Sequence, residues 1–334
     1  MAAGAGEPWG MALDSKGNVW FAEAGCQFGL SCTTRTPPGE IGELRAGSSK
    51  PVLFRLPSIA GNQPIFLAFD RSGNLWFTTP NNSRIGEFNP KTGRFVRQWP
   101  VTAHSGPWDL VFAGGKIWYT EHLQSAIGEF DPSTHVFRDI KTPSKNALPY
   151  GIVANGNLVW FTENNPAVAR IGVFNISKPT TAGISEYKIQ ASPPSNLTPH
   201  LIAIDAKGHP WWSEGFAHAL GTLDPKIAKP GKCGNASGDC RGVSEFTLPP
   251  ATKCGNGGTH VAGIVLQGGG KLVWFDDSLD AQVGSFNPAT RHFTIIPLAS
   301  CSAHVQDGLL LDRTTRPHVW WDELFADRLG RLTQ

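Results

Sequence analysis

Charge is scarce in this sequence. Asp, Glu, Lys and Arg supply 17% of its 334 residues, against about 25% in an average soluble domain. The 29 basic and 27 acidic residues nearly cancel, leaving a formal charge of +2. That balance excludes a nucleic-acid binder held by a basic footprint, and it excludes an acidic disordered chain. Apolar runs of the ~18 residues that cross a membrane are missing, so no membrane partner is expected. Long stretches with helical periodicity are missing too, which excludes α/β folds. No two cysteines have CxxC spacing, against a zinc ribbon, and no GxSxG, HExxH, P-loop or dinucleotide fingerprint occurs.

Glycine, proline and tryptophan are plentiful at 38, 26 and 12 residues. Gly and Pro punctuate and Trp fills cores, so many short strands around aromatic layers are expected. The six cysteines sit among small and polar residues, as in CQFGLSC and KCGNASGDC. Loop cysteines of this kind fit disulfides, and the expected pairing is Cys26–Cys32, Cys233–Cys240 and Cys254–Cys301, one of the 15 that six cysteines allow. Disulfides imply an oxidising compartment, hence a secreted or periplasmic protein. The opening MAAGAGEP has neither the charged nor the apolar region of a signal peptide, so the export signal is expected upstream of this sequence.

The strongest signal is an internal repeat. A pattern resembling P-x-G-I-x-x-D-x-x-G-N-x-W-F-T-E, followed by x-I-G-x-F, recurs along the chain. The first aromatic of each WF, WY or WW pair is Trp20, Trp76, Trp118, Trp160, Trp211, Trp274 and Trp320. An IG, LG or VG pair follows each, with its glycine at Gly42, Gly86, Gly128, Gly172, Gly221, Gly284 and Gly330. Two independent markers thus count seven repeats, at the period of a β-propeller. The expected fold is all-β: one domain over 1–334, a seven-bladed propeller of four-stranded antiparallel blades. The blades fall at about 7–60, 61–103, 104–146, 147–196, 197–257, 258–302 and 303–334. The seventh ends on its third strand, RLGRLTQ, so either it has three strands or the natural chain continues upstream of Met1. The upstream extension is the favoured expectation.

In a propeller, the start of strand A and the end of strand B emerge on one face beside the central funnel, and ligands are expected there. The strand A ring reads Trp9, Ile65, Trp108, Tyr150, His200, Ala262 and Asp307, with His260 and His304 just upstream of the last two. The strand B ring reads Glu23, Thr79, Glu121, Glu163, Glu214, Asp277 and Glu323. Blades 5 to 7 therefore bring histidines and carboxylates, and blades 1, 3 and 4 bring Trp9, Trp108 and Tyr150 as an aromatic platform. Imidazole with carboxylate suits acid–base chemistry or a divalent metal. The competing reading is that the strand B carboxylates only hydrogen-bond within the framework and are copied from repeat to repeat. His218 follows the ring and is expected at the rim.

WFTE followed by IG, together with P-H-x-I at Pro199–Ile202, resembles the virginiamycin B lyase (streptogramin lyase) family over all seven repeats. The resemblance implies a seven-bladed propeller that opens the ester of a cyclic depsipeptide by elimination, with magnesium. It implies key histidines at the start of strand A in late blades and a glutamate after the last strand B. Glu323 lies within one residue of that glutamate; Ala262 and Asp307 occupy the strict histidine positions. His260 and His304 stand close by, and His200 carries the PH motif one blade earlier.

The expected activity is therefore that of a carbon–oxygen lyase. Catalysis is expected from His260, His304, Glu323 and His200, with the substrate against Trp9, Trp108, Tyr150, Asp307, Glu214 and Asp277. Glu323 and His304 are expected to hold a divalent metal, magnesium by resemblance, with calcium or zinc as alternatives. The partner is a small-molecule or oligomeric substrate in the funnel of a monomer. A metal-dependent lactonase and a non-enzymatic binding propeller are the competing readings.

Overall fold

A computed structural model of the chain describes residues 6–26, 32–33, 36–190, 194–233, 240–250, 254, 259–301, 303–323 and 327–333. The chain is a seven-bladed β-propeller whose sheets are each built from consecutive antiparallel strands, A to D. Blade 1 comprises Pro8–Leu13, Val19–Glu23, Glu40–Leu44 and Val52–Arg55, and blade 2 comprises Leu67–Phe69, Leu75–Thr79, Arg84–Asn89 and Arg94–Pro100. Blade 3 runs through Pro107–Ala113, Lys116–Glu121, Ala126–Asp131 and Val136–Lys141. Blade 4 is Pro149–Asn155, Leu158–Glu163, Arg170–Asn175 and Ser185–Lys188, and blade 5 is Pro199–Ile204, Pro210–Glu214, Ala219–Leu223 and Val243–Thr247. Blade 6 is Val261–Gln267, Leu272–Asp277, Gln282–Asn287 and His292–Pro297. Blade 7 has three strands among the described residues, Leu309–Leu311, His318–Glu323 and Arg328–Thr333. The only helices described are three short 3-10 turns.

The chain forms two compact units. One is Met1–Gln124, Gly128–Asp139 and Gly308–Gln334; the other is Ser125–Ile127 and Ile140–Asp307. Within the first, blade 7 packs straight onto blade 1, as Leu310, Trp320 and Leu329 lie against Val19, Phe21 and Leu44.

Both repeat markers have a physical cause. The first Trp of strand B anchors the A–B turn: the indole Nε1 of Trp20, Trp76 and Trp211 donates to Asp14, Asp70 and Asp205. The same aspartates accept the backbone N–H groups of their own turns, for example Lys16 and Asn18 on Asp14. The ring of that Trp fills the seam to the next blade. Trp20 stacks on Phe54 and meets Phe69 and Phe88 of blade 2, and Trp211 lies in a core with Val261, Ile264 and Phe275 of blade 6.

The glycine of the IG pair is required by space rather than by backbone angle. It sits directly across from the second aromatic of strand B, as in Phe21 with Gly42, Phe161 with Gly172 and Trp212 with Gly221. The ring lies flat over the glycine Cα, so a Cβ at any of the seven glycines would overlap ring atoms. Covering a strand glycine with a cross-strand aromatic recovers the contact the missing side chain would have made.

Three disulfides join Cys26 to Cys32, Cys233 to Cys240 and Cys254 to Cys301, and no described cysteine is free. The last closes a loop around all of blade 6. No described helix is long and apolar enough to cross a membrane.

Candidate functional site

The second unit gathers the candidate residues of blades 4 to 6. Each strand A there starts on a β-bulge. Pro149 pairs with Glu163 but Ile152 with Phe161, Pro199 with Glu214 but Ile202 with Trp212, and Val261 with Asp277 but Ile264 with Phe275. The extra residue bends the strand and re-aims its side chains. A hydroxyl of the preceding blade holds the bulges of blades 5 and 6: Thr162 Oγ1 donates to the His200 carbonyl and Ser213 Oγ to the Ala262 carbonyl, both at 2.5 Å. His200 and Ala262 are therefore register equivalents.

Tyr150 and His200, within two of the bulges, meet His260 and Asp307. The rings of Tyr150 and His200 are 4.8 Å apart, and Tyr150 Oη donates to Asp307 Oδ2 at 2.6 Å. His260, just ahead of its strand A, meets His200 edge-on with Nε2 to Nε2 at 2.9 Å. Phe216, on the 3-10 turn after blade 5 strand B, lies 4.8 Å from the His260 ring. Gly215 makes room for this, since a Cβ there would overlap His200 Cε1.

The proton positions in the histidine pair follow from chemistry. His200 Nδ1 is 2.6 Å from the Thr198 carbonyl, which only accepts, so Nδ1 carries the proton. With His200 neutral, its Nε2 is the acceptor and His260 Nε2 donates to it. The lone pair of His260 thus falls on Nδ1. Burial pushes the His260 pKa down to about 4, helped by the charge of His304, so the ring is neutral near pH 7. Burial also lowers the pKa of His304.

The carboxyls beneath are shifted the other way. Burial raises Asp307 to about 7 against the opposing hydrogen bond from Tyr150. Asp276 stands where other blades carry Thr78, Thr120, Thr162 or Ser213, and like Thr162 and Ser213 it accepts a backbone N–H of strand A, here that of Gly263. Burial raises it to about 8, with the charge of Asp307 adding to the shift. Exposure falls along the site from Phe216 at 46% to His260 at 8%, His200 at 5% and Asp276 at 0%. An apolar rim thus leads to the imidazole pair and to two carboxyls whose pKa values burial raises.

The strand B ring does not join this cluster. Its carboxylates are buried in the sheets, because the period of two places each on the face of the second aromatic rather than of the hydroxyl. Glu214 was expected at the substrate but accepts the Trp212 indole N–H at 2.8 Å, with its pKa raised by burial and by Glu245. Asp277 is held by Thr259 Oγ1, the His260 backbone N–H and Gln282 Nε2, and is fully buried. Trp9 is 1% exposed, edge-on to the half-buried Trp108 at 6.1 Å, so it offers no open face to a ligand. His218, Asp277 and Asp280 form a group with the composition to hold a metal. The sequence reading missed Phe216, Thr198 and Asp276; only Asp276 had a visible signal, an acid at the Thr/Ser position of the repeat.

Residues 32–229 match the model of the virginiamycin B lyase family. The chain belongs to that family. Virginiamycin B lyase from Staphylococcus aureus has the same fold, with a TM-score of 0.74 and 22% identity over 98% of this chain and 95% of its own. A catalytically inactive histidine-to-alanine variant of that enzyme, solved with quinupristin, gives 0.76 at 22% identity over 100% and 97%. Hydrazine synthase of Kuenenia stuttgartiensis reaches 0.73 at only 10% identity over 100% and 97%, so the fold serves unrelated ends. No curated protein matches the chain.

Glu323 lies within one residue of the glutamate position that the resemblance singles out. Its Oε1 accepts the Trp321 indole N–H at 3.1 Å and its Oε2 is paired with the Arg328 guanidinium. Both oxygens are engaged, and a cation already neutralises the carboxylate. A magnesium ion there would have to displace Arg328, so the residues do not fit the ion as they stand.

Proposed function

We propose that this virginiamycin B lyase family member opens a cyclic ester by elimination, with His260 as the general base. The observation that supports it most is the Nε2-to-Nε2 contact of His260 and His200, with His200 Nδ1 fixed on the Thr198 carbonyl. That chain sets the tautomer of His260 and leaves Nδ1 as a neutral nitrogen beside an exposed apolar side chain.

His260 Nδ1 takes a proton from the carbon next to a carbonyl. The C–H electrons form the C=C bond, the C–O bond breaks, and the carboxylate leaves still attached to the opened ring. The new imidazolium strengthens the bond from His260 Nε2–H to His200, so the pair is more favourable in the transition state than before it. Phe216 supplies an apolar wall for the substrate. Below about pH 7 Asp307 is mostly neutral and adds no negative charge where the carboxylate develops. Three disulfides support an exported protein.

The product decides between elimination and hydrolysis. Incubation with a streptogramin B-type cyclic depsipeptide is expected to leave the mass unchanged and to create ultraviolet absorbance from the new double bond. A product heavier by one water would mean hydrolysis, and no product would overturn the enzymatic reading.

The pH dependence follows from the two shifts. Activity is expected to rise through about pH 4 as His260 loses its proton, and to fall through about pH 7 as Asp307 ionises. The charged or titratable groups facing them are His200 and His304 on one side and Tyr150 and Asp276 on the other. In Asp307→Asn the alkaline fall should vanish while the acid limb stays. A profile flat from pH 4 to 9 would contradict these roles.

A further inference from the structure

We propose that His218, Asp277 and Asp280 bind a divalent transition cation of the zinc type at the seam of blades 5 and 6, apart from the histidine pair. One ligand atom from each lies within 4.8 Å of the other two. His218 Nε2 is 3.5 Å from Asp277 Oδ2, yet no hydrogen bond joins them, and this buried nitrogen has no hydrogen-bond partner among the described residues. The nitrogen therefore stands beside a carboxylate oxygen without being bonded to it. Ligand atoms bound at about 2.0–2.2 Å to one ion stand roughly 3.0–3.5 Å apart; His218 and Asp277 already stand at 3.5 Å, and Asp280 has only to close in from within 4.8 Å. Two buried carboxylates side by side also repel unless a cation lies between them.

The donor set chooses the metal. One imidazole and two carboxylates suit zinc or manganese, whereas magnesium and calcium favour oxygen alone. The supporting shell exists: Asp277 accepts from Thr259, Gln282 and the His260 backbone, and the His218 carbonyl accepts from Leu248 N at 2.8 Å. The His218 side chain is 22% exposed, which gives an ion a path from solvent. Because Asp277 also holds the His260 backbone, the ion would brace the ground on which the base stands without touching it. The proposal does not depend on the elimination reaction.

The test uses the full oxidised chain, stripped with chelator and titrated with zinc chloride by calorimetry and thermal melting. The expected result is one ion per chain and a rise in Tm of about 5 °C in excess zinc, reversed by chelator. Magnesium at the same concentration should give no rise. Zinc binding should be lost in Asp280→Asn and in His218→Ala, two changes at the edge of the fold that leave Asp277 in place. Absence of zinc binding, retention of binding in both variants, or an equal response to magnesium would overturn the proposal.

Discussion

His260→Ala is expected to lower kcat by about 10²–10⁴-fold, the usual loss when a positioned general base is removed, with little change in KM. The fall should come with only a small drop in Tm, because the imidazole contributes a single side-chain hydrogen bond, to His200. His200→Ala tests the same pair from behind. It leaves His260 its Nδ1 but frees its tautomer, so a smaller loss is expected, with the acid limb of the pH profile displaced. A merely structural histidine would lower Tm and leave that limb alone. If His260→Ala kept wild-type turnover, the site would be misassigned. If it unfolded the protein, the less disruptive His260→Gln would still separate lost chemistry from lost packing.

Gly128→Ala is expected to be the most damaging small change in the framework. The methyl group would fall inside the Tyr119 ring, which is fully buried and has nowhere to move. Overpacking of this kind costs about 1–3 kcal/mol and here should reach the upper end. Urea denaturation with Tyr119→Leu as the second arm makes the cause visible. The double variant should be less destabilised than the two single effects added together, because the smaller side chain gives the methyl group room. Additive losses would show that the glycine is needed for some reason other than the ring above it.

These two residues also mark what could be read without coordinates. The repeat was legible because each marker answers a strong and local demand: an indole must meet a turn aspartate, and an aromatic must lie over a bare Cα. The aspartate contact recurs in blades 1, 2, 5 and 7 and the covered glycine in all seven, so both appear in one dimension. The site was legible in part. Tyr150 and His200 are re-aimed by the bulges after Pro149 and Pro199, and His260 and Asp307 meet them from the segments ahead of the next strands A. The strand B carboxylates were misread because the end of a strand shows where the chain emerges, not which face its last side chain takes. Counting two residues back from Glu214 to Trp212 would have assigned that face. Phe216 and Thr198 had no such handle, since nothing in the repeat places a loop carbonyl or a turn aromatic beside an imidazole.

The seam packing of Trp20 and Trp211 has a consequence for how the molecule is divided. Each of these rings belongs to one repeat in sequence and to the hydrophobic interior of the following repeat in space. The cooperative unit is therefore out of phase with the repeated unit. A fragment cut at the repeat boundaries would expose half of an interior at each end, whereas one cut within the A–B turns would carry whole interiors. Amide exchange should report the same offset: loosening the indole of blade 5 would first release protection in the strands of blade 6.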